Sequence, residues 1–195
     1  CMSFKKQITE DQMQELELRA FEGEVGFLNT PEKCEAAAKR LKAAGMLGID
    51  TETKPTFKKG VVHKVALLQL GLGDIVYLVQ LIHVGLPEAI ADVLCDPNII
   101  KVGIGTKDDM RTLRRDYKCN PKNVVDLNIL ARSRGFKSIG AKKLTALVLG
   151  FRIAKGGWRS NWENKKLSES QISYAATDAW ICHDIYRALH RKKLG

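Results

Sequence analysis

The alternation of apolar and polar residues along the chain predicts a mixed sheet of five strands. An alternating segment at 46–53 is followed by a nearly continuous apolar segment at 64–72, which is typical of a strand covered on both faces. The turn at 71–74 contains two glycines and leads into a returning strand at 75–79, so these neighbours are antiparallel. Shorter β-rich segments at 99–104 and 123–126 alternate with helices, which predicts an α/β fold with helices flanking the sheet.

Helix signals occupy the segments between these strands. Thr9 and Gln12 form a capping box, which predicts a short helix to about residue 18. Thr30 at the N-cap, Pro31 at the first position and Gly45 just past the end predict a helix over 31–44. Further helices are expected at 85–95, from 108 or 109 onward, and at 127–134, 138–149 and 168–191. Residues 21–28 are ambiguous and partly extended, and we divide the chain into an N-terminal helical extension at 1–28 and one domain at 29–195.

An acidic pair, Asp50 and Glu52, closes the first predicted strand. Side chains two residues apart on a strand point to the same face, so we expect the two carboxylates to lie side by side. Such a pair is repulsive unless a cation lies between the carboxylates, and Mg²⁺ prefers oxygen ligands. Acidic pairs are also common at exposed strand ends, so this pair alone does not identify a metal site.

Two further segments could complete a metal site. Tyr174 and Asp178 share one face of the last predicted helix, and the small residues between them allow a close approach to a strand. Asp178 could be a third ligand and Tyr174 could orient a water, whereas the alternative is a buried tyrosine and a surface aspartate. Asp108 and Asp109 lie at a strand-to-helix turn, where either could reach the site or stabilise the start of the helix.

Composition and charge limit the partners and the compartment. The chain has 32 Lys and Arg against 22 Asp and Glu, and the net charge of +10 suits either a nucleic-acid partner or a merely basic soluble protein. Its five cysteines form no C-x-x-C pair, which favours reduced thiols and a cytoplasmic location. We expect no membrane association, because no apolar segment has the length of a bilayer span.

Taken together and in this order, three motifs resemble the DEDDy 3′–5′ exonucleases of the ribonuclease H-like superfamily. The motifs are D-x-E from Asp50, G-x-G-x-x-x-D from Gly103 to Asp109, and Y-x-x-x-D from Tyr174 to Asp178. The segments 64–70 and 158–179 are similar to the Werner-type branch and its bacterial relatives. Tyr174 indicates the tyrosine branch, since the histidine branch would place its histidine where this chain has Ser173.

The resemblance implies a ribonuclease H-like fold and a two-metal mechanism with Mg²⁺ or Mn²⁺. By position, the metal ligands are Asp50, Glu52, Asp109 and Asp178, with Asp109 chosen over its neighbour because it fits the glycine spacing. Asp50 would bridge both ions, and Glu52 and Tyr174 would position the attacking water as catalytic residues. The product would be a nucleoside 5′-monophosphate.

The same resemblance points to the groups that would bind the substrate. Thr51, Lys54, Arg159 and Asn161 are expected to contact it, with Arg159 closest to the cleaved bond. The tryptophans at 158 and 162 are expected to pack rather than to stack on bases. DNA is the expected substrate, with DNA repair as the process. The alternatives are a ribonuclease D-like enzyme that trims RNA and a non-catalytic nucleic-acid-binding module on the same fold.

Overall fold

A six-stranded mixed sheet forms the centre of the computed structural model, which describes residues 4–157 and 159–190. The strand order is β1-β4-β3-β2-β5-β6. Strand β2 pairs antiparallel with β3 and parallel with β5, and β3 pairs antiparallel with β4. The strands are β1 (Glu24–Phe27), β2 (Met46–Thr53), β3 (Val65–Gly71), β4 (Ile75–Val79), β5 (Ile100–Gly103) and β6 (Val124–Asp126).

The strand count corrects the sequence prediction from five to six. Residues 24–27, which the sequence left ambiguous, form β1 and pair in parallel with β4 at the edge of the sheet. The burial pattern of β1 does not alternate, because all residues after Glu24 are half-buried. A period-two signal is therefore missing, and only the pairing with β4 identifies the segment as a strand.

Eight helices occur in the described part of the chain. The capping box of Thr9 is present, but the first helix ends at Gln14 rather than near residue 18. The segment predicted at 138–149 is a short α-helix followed by a π-helical turn at Thr145–Leu149. The helices are α1 (Glu10–Gln14), α2 (Pro31–Ala44), α3 (Leu81–Val84), α4 (Glu88–Cys95), α5 (Thr106–Tyr117), α6 (Leu127–Ser133), α7 (Ala141–Leu144) and α8 (Glu169–His190).

Helices cover both faces of the sheet and create two hydrophobic cores. Helix α8 packs on one face, where Ala175, Ala179 and Ile181 are buried. The other face carries α2 and α4, with Leu41 and Ile90 buried beside the strands. Every residue of β3 is buried, which confirms the expectation of a strand covered on both sides.

Two glycines allow α8 to approach the centre of the sheet closely. Gly48 of β2 and Gly71 of β3 are register partners beneath Ala179. A β-carbon on Gly48 would lie 2.0 Å from the carbonyl oxygen of Ala179, and one on Gly71 would lie 2.8 Å from it. The absence of side chains at these two positions therefore sets the distance between α8 and β2. This distance in turn determines how far Asp178 of α8 lies from Asp50 and Glu52 of β2.

None of the helices in the described ranges is long and apolar enough to cross a membrane. Cys34, Cys95, Cys119 and Cys182 are free thiols, as the sequence predicted. The expectation for Trp158 falls outside the described residues, as does residue 191 of the helix predicted at 168–191.

Candidate metal site and substrate groove

Three carboxylates from two elements meet above the middle of the sheet. Asp50 and Glu52 project from the same face of β2, and Asp178 reaches them from α8. One ligand oxygen from each lies within 4.8 Å of the others. The structure thus brings together the first and third acidic motifs predicted from the sequence, and the three oxygens suit a hard divalent cation.

Neighbouring polar groups orient the two carboxylates of β2. The backbone N–H of Thr51 donates to Asp50 Oδ1 at 2.9 Å. Gln69, the register partner of Asp50 on β3, donates from Nε2 to Glu52 Oε1 at 3.4 Å. Gln69 is fully buried and its Oε1 has no hydrogen-bond partner in the described chain, so the bond to Glu52 is the one its side-chain amide makes there.

Burial and mutual repulsion raise the pKa values of the clustered carboxyl groups. Burial and then the charge of Asp178 raise the pKa of Glu52 to about 8. Burial raises the pKa of Asp178 to about 7. Burial and then the charge of Asp178 place the pKa of Asp50 well above its ordinary value. A divalent cation would reverse this effect, because it favours the ionised form of every ligand. The donor set therefore fits a metal site.

Asp109 approaches the cluster from the first turn of α5. Its Oδ1 accepts a hydrogen bond from the hydroxyl of Thr51, and burial raises its pKa to about 6. Its charge also contributes to the raised pKa values of Asp50 and Glu52. Asp108 is exposed and pairs with Arg111 at 3.0 Å. Of the two candidates at this turn, Asp109 is thus the one beside the cluster.

A further carboxylate, Asp126, fixes the turn that presents Asp109. Its side chain accepts from the backbone N–H groups of Gly105 and Thr106 at 3.2 and 2.8 Å, and it also caps α6. From the sequence, Asp126 was only the end of a strand. One signal could have identified this role. Strands β5 and β6 are parallel neighbours, so Asp126 at the end of β6 lies next to the turn that follows β5.

Tyr174 lies one turn before Asp178 on α8, and the interaction with its hydroxyl lowers the pKa of Asp178. Burial raises the pKa of the Tyr174 hydroxyl, so this group is a donor at neutral pH. The ring lies 6.1 Å from the buried ring of Trp162, centroid to centroid. The ring also lies against Gly157, where a β-carbon would lie 2.3 Å from it. The Gly156–Gly157 pair in the sequence is the signal for this close contact.

The expected substrate-binding residues lie in different surroundings. Lys54 Nζ lies 3.3 Å from Glu163, so its charge is paired in this structure. Asn161 bonds to Asn164 and accepts from the Glu163 N–H, which makes it part of a turn. Thr51 contacts Asp109, as above, and Arg159 is exposed. Trp162 is fully buried, as expected of a packing residue.

Lys142 is a residue near the cluster that the sequence did not indicate. It lies in α7, and its charge lowers the pKa of Asp178 against the opposing effect of burial. No local motif singles it out, because it reaches the site only through the packing of α7 and the following π-helical turn on α8.

The fold and the site together define an α/β protein with a carboxylate cluster suited to divalent cations. A family model described as 3'-5' exonuclease matches residues 26–193. Because this match covers most of the chain, the protein belongs to the 3′–5′ exonuclease family. The resemblance drawn from the three motifs is thereby confirmed at the level of the family.

Curated relatives support this assignment. A 3'-5' exonuclease from Arabidopsis thaliana is 34% identical over 73% of this chain and 52% of its own length. Ribonuclease D from Haemophilus influenzae is 31% identical over 66% of the chain and 33% of its own length. The bifunctional 3'-5' exonuclease/ATP-dependent helicase WRN of Mus musculus is 30% identical over 95% of the chain but only 14% of its own length. The chain thus corresponds to part of these relatives.

The fold is similar to those of solved exonucleases. The EXO domain of Aedes aegypti Nibbler superposes with a TM-score of 0.76 and 25% identity, covering 90% of this chain and 91% of that domain. This likeness confirms the predicted ribonuclease H-like fold, with the correction that the sheet has six strands.

Proposed function

We propose that this protein is a metal-dependent 3′–5′ exonuclease of the DEDDy type, which hydrolyses the terminal phosphodiester of a nucleic acid and releases nucleoside 5′-monophosphates. The observation that carries the proposal is the convergence of Asp50, Glu52 and Asp178 within 4.8 Å, with Tyr174 close enough to lower the pKa of Asp178. The family match supports the reaction class, and the tyrosine at this position supports the subtype.

In this proposal the four carboxylates act as ligands. Two divalent cations, Mg²⁺ or Mn²⁺, would be held by Asp50, Glu52, Asp109 and Asp178, and would supply activation of water and stabilisation of the departing 3′-oxygen. Glu52 and Tyr174 orient the attacking water, because both lie at the cluster and one is an acceptor and the other a donor. Thr51 acts by holding Asp109 in place.

We propose DNA as the substrate and DNA repair as the process, with a cytoplasmic location in keeping with the free thiols. RNA is the second candidate, because two relatives are ribonuclease D enzymes. Discrimination between the two would depend on contacts to the 2′-hydroxyl group. The net charge of +10 supports binding to either polymer.

The test compares two 5′-labelled substrates, a 3′-recessed DNA duplex and an RNA strand of matching sequence. Each is incubated with the protein and Mg²⁺ or Mn²⁺, beside Asp50→Asn as the matched control and a reaction with EDTA. We expect a ladder that shortens from the 3′ end, that requires metal and that is absent from the control. The polymer degraded faster identifies the substrate class.

Two outcomes would contradict the proposal. An unchanged cleavage rate in Asp50→Asn would show that the activity does not use this cluster. Binding of both polymers with no cleavage under any metal condition would instead favour a non-catalytic binding module on the same fold.

A further inference from the structure

The N-terminal segment before β1 is tied to the helix that carries Asp178. The backbone N–H of Phe21 donates to Thr177 Oγ1 at 3.0 Å in a buried contact, and the Phe21 ring lies 5.7 Å from that of Trp180. Further back, Arg19 N–H donates to Arg152 O and Arg152 N–H donates to Glu17 O, both at 2.9 Å. The path of residues 17–21 across α8 is therefore fixed by four contacts that are distant in sequence.

This path places the side chain of Arg19 at a cavity beside the carboxylate cluster. The guanidinium Cζ lies 5.0 Å from the centre of the Phe151 ring, so the charged group packs against this ring, while Arg19 as a whole is exposed. The cavity has a volume of about 330 Å³, and Tyr174 and Asp178 form one of its walls. Arg19 stands at this cavity although it precedes residue 26, where the family match begins.

The lining of the cavity suits a phosphate group. Arg19 and Lys155 supply positive charge, and Ser160, Ser170 and Ser173 supply hydroxyl donors. Asp178 is the single acidic residue of the lining, and it is already engaged by Tyr174. Within the described residues, no carboxylate pairs with Arg19 or Lys155 at ion-pair distance. An Arg, a Lys and hydroxyl groups are the donors that proteins use on nucleic-acid phosphates.

We infer that Arg19 binds a backbone phosphate of the substrate strand, next to the phosphodiester at the carboxylate cluster. This inference rests on the proposed nuclease function and adds a contact from the segment that precedes the family domain. The shared wall of Tyr174 and Asp178 supports it, because a strand with its terminal phosphate at Asp178 has a neighbouring phosphate within reach of the cavity. Arg19 is thus a substrate-binding residue that acts on affinity and register.

The test measures binding without cleavage, in the Asp50→Asn chain with EDTA. A 5′-fluorescein-labelled single strand of DNA is titrated by anisotropy between 50 and 200 mM KCl. Loss of one phosphate contact lowers the slope of log affinity against log salt by about 0.7, which corresponds to about fivefold weaker binding at 0.1 M salt. We expect this loss in Arg19→Met, which keeps the packing on Phe151, and in Arg19→Ala. Arg19→Lys keeps the slope.

Arg132→Ala is the matched control, because Arg132 is an exposed arginine of α6 and does not line the cavity. This control should bind as tightly as the parent and with the same slope. If Arg19→Met has the parent's slope and affinity, the inference is wrong.

A second measurement locates the phosphate. Strands that carry one neutral methylphosphonate at successive positions from the 3′ end are titrated against the parent and Arg19→Met. When the methylphosphonate is at one position near the 3′ end, the parent and Arg19→Met should bind the strand with equal affinity, because the phosphate charge that Arg19 contacts has been removed. If Arg19→Met binds more weakly than the parent by the same factor at every methylphosphonate position, the inference is wrong, while the proposed function remains intact. Absence of cleavage by the unmodified chain in the ladder assay would remove the proposed function, and the inference with it.

Discussion

Gly48 of β2 lies directly beneath Ala179 of α8, so close that a β-carbon on Gly48 would be 2.0 Å from the carbonyl oxygen of Ala179. Asp50 follows Gly48 by two residues and Asp178 precedes Ala179 by one. The contact between glycine and helix backbone therefore sets the separation of the two carboxylates. An acidic cluster built from two elements requires such a fixed separation, because ligand oxygens must meet within the reach of one cation.

Replacement of Gly48 by alanine should damage both stability and activity. The added methyl group meets backbone rather than a flexible side chain, so α8 must move away from β2. We expect a loss of about 1–3 kcal/mol in the free energy of unfolding, which is the usual cost of overpacking. We also expect a large decrease in kcat, because the movement of α8 separates Asp178 from Asp50 and Glu52. Urea unfolding and nuclease assays measure the two effects.

Gly73→Ala is the control for this experiment. The nearest atom to a β-carbon there is the guanidinium end of Arg187 at 3.3 Å, which can move. This variant should retain activity. Full activity in Gly48→Ala would show that the height of α8 does not set the ligand geometry.

The metal-free protein should lose stability as the pH rises from about 4 to about 8. The pKa values of Asp109, Asp178 and Glu52 are raised to about 6, 7 and 8, whereas their unfolded values lie near 4. In this window the folded state holds more protons than the unfolded state, so stability falls with increasing pH. Thermal unfolding in EDTA at a series of pH values measures this decline.

Saturating Mg²⁺ or Mn²⁺ should restore stability at pH 8, by about 2.7 kcal/mol when the metal is at a hundred times its Kd. The ion binds the ionised carboxylates that are repulsive without it. Asp50→Asn should show both a weaker decline with pH and a smaller response to metal. A Tm in EDTA that does not change between pH 5 and 8 would contradict the raised pKa values of the clustered carboxyl groups.

The neighbouring acids Asp108 and Asp109 provide a matched pair of variants. Asp109→Asn should reduce kcat by about 10²-fold or more, because it weakens a ligand and changes the contact with Thr51. Asp108→Asn should leave activity nearly unchanged, since Asp108 is exposed and its carboxylate pairs with Arg111 on the surface. Steady-state assays of both variants measure the difference, and the reverse ranking would transfer the metal-binding role to Asp108.

Tyr174→Phe should lower kcat by about 10²-fold while the protein remains folded. The ring contacts with Gly157 and Trp162 remain, and only the hydroxyl that interacts with Asp178 is lost. A single lost hydrogen bond costs about 1 kcal/mol in stability. Tyr117→Phe loses the bond to the Val65 carbonyl instead and should change stability without changing kcat. Equal kcat values in the two variants would exclude a role for Tyr174 in positioning water.

Much of the fold follows from local signals in the sequence. Thr30, Pro31 and Gly45 mark the ends of α2, because caps and left-handed positions depend on a few adjacent residues. The acidic pair at the end of β2 and the Tyr174–Asp178 spacing on α8 were visible for the same reason. The choice of Asp109 over Asp108 as a metal ligand came from the family resemblance and stays a prediction, although Asp109 is the one of the two that contacts Thr51 beside the cluster.

The tertiary structure alone decided which distant segments meet. Residues 24–27 lack strand periodicity and become β1 only by pairing with β4, and Asp126, Lys142 and Gly157 reach the site through packing between elements. The position of Arg19 at the cavity that Tyr174 also lines depends on backbone bonds to Arg152, far away in sequence. Local sequence determines caps, periodicity and motif spacing because those energies are local. Contacts between remote segments depend on the whole packed core, and a linear pattern does not encode them separately.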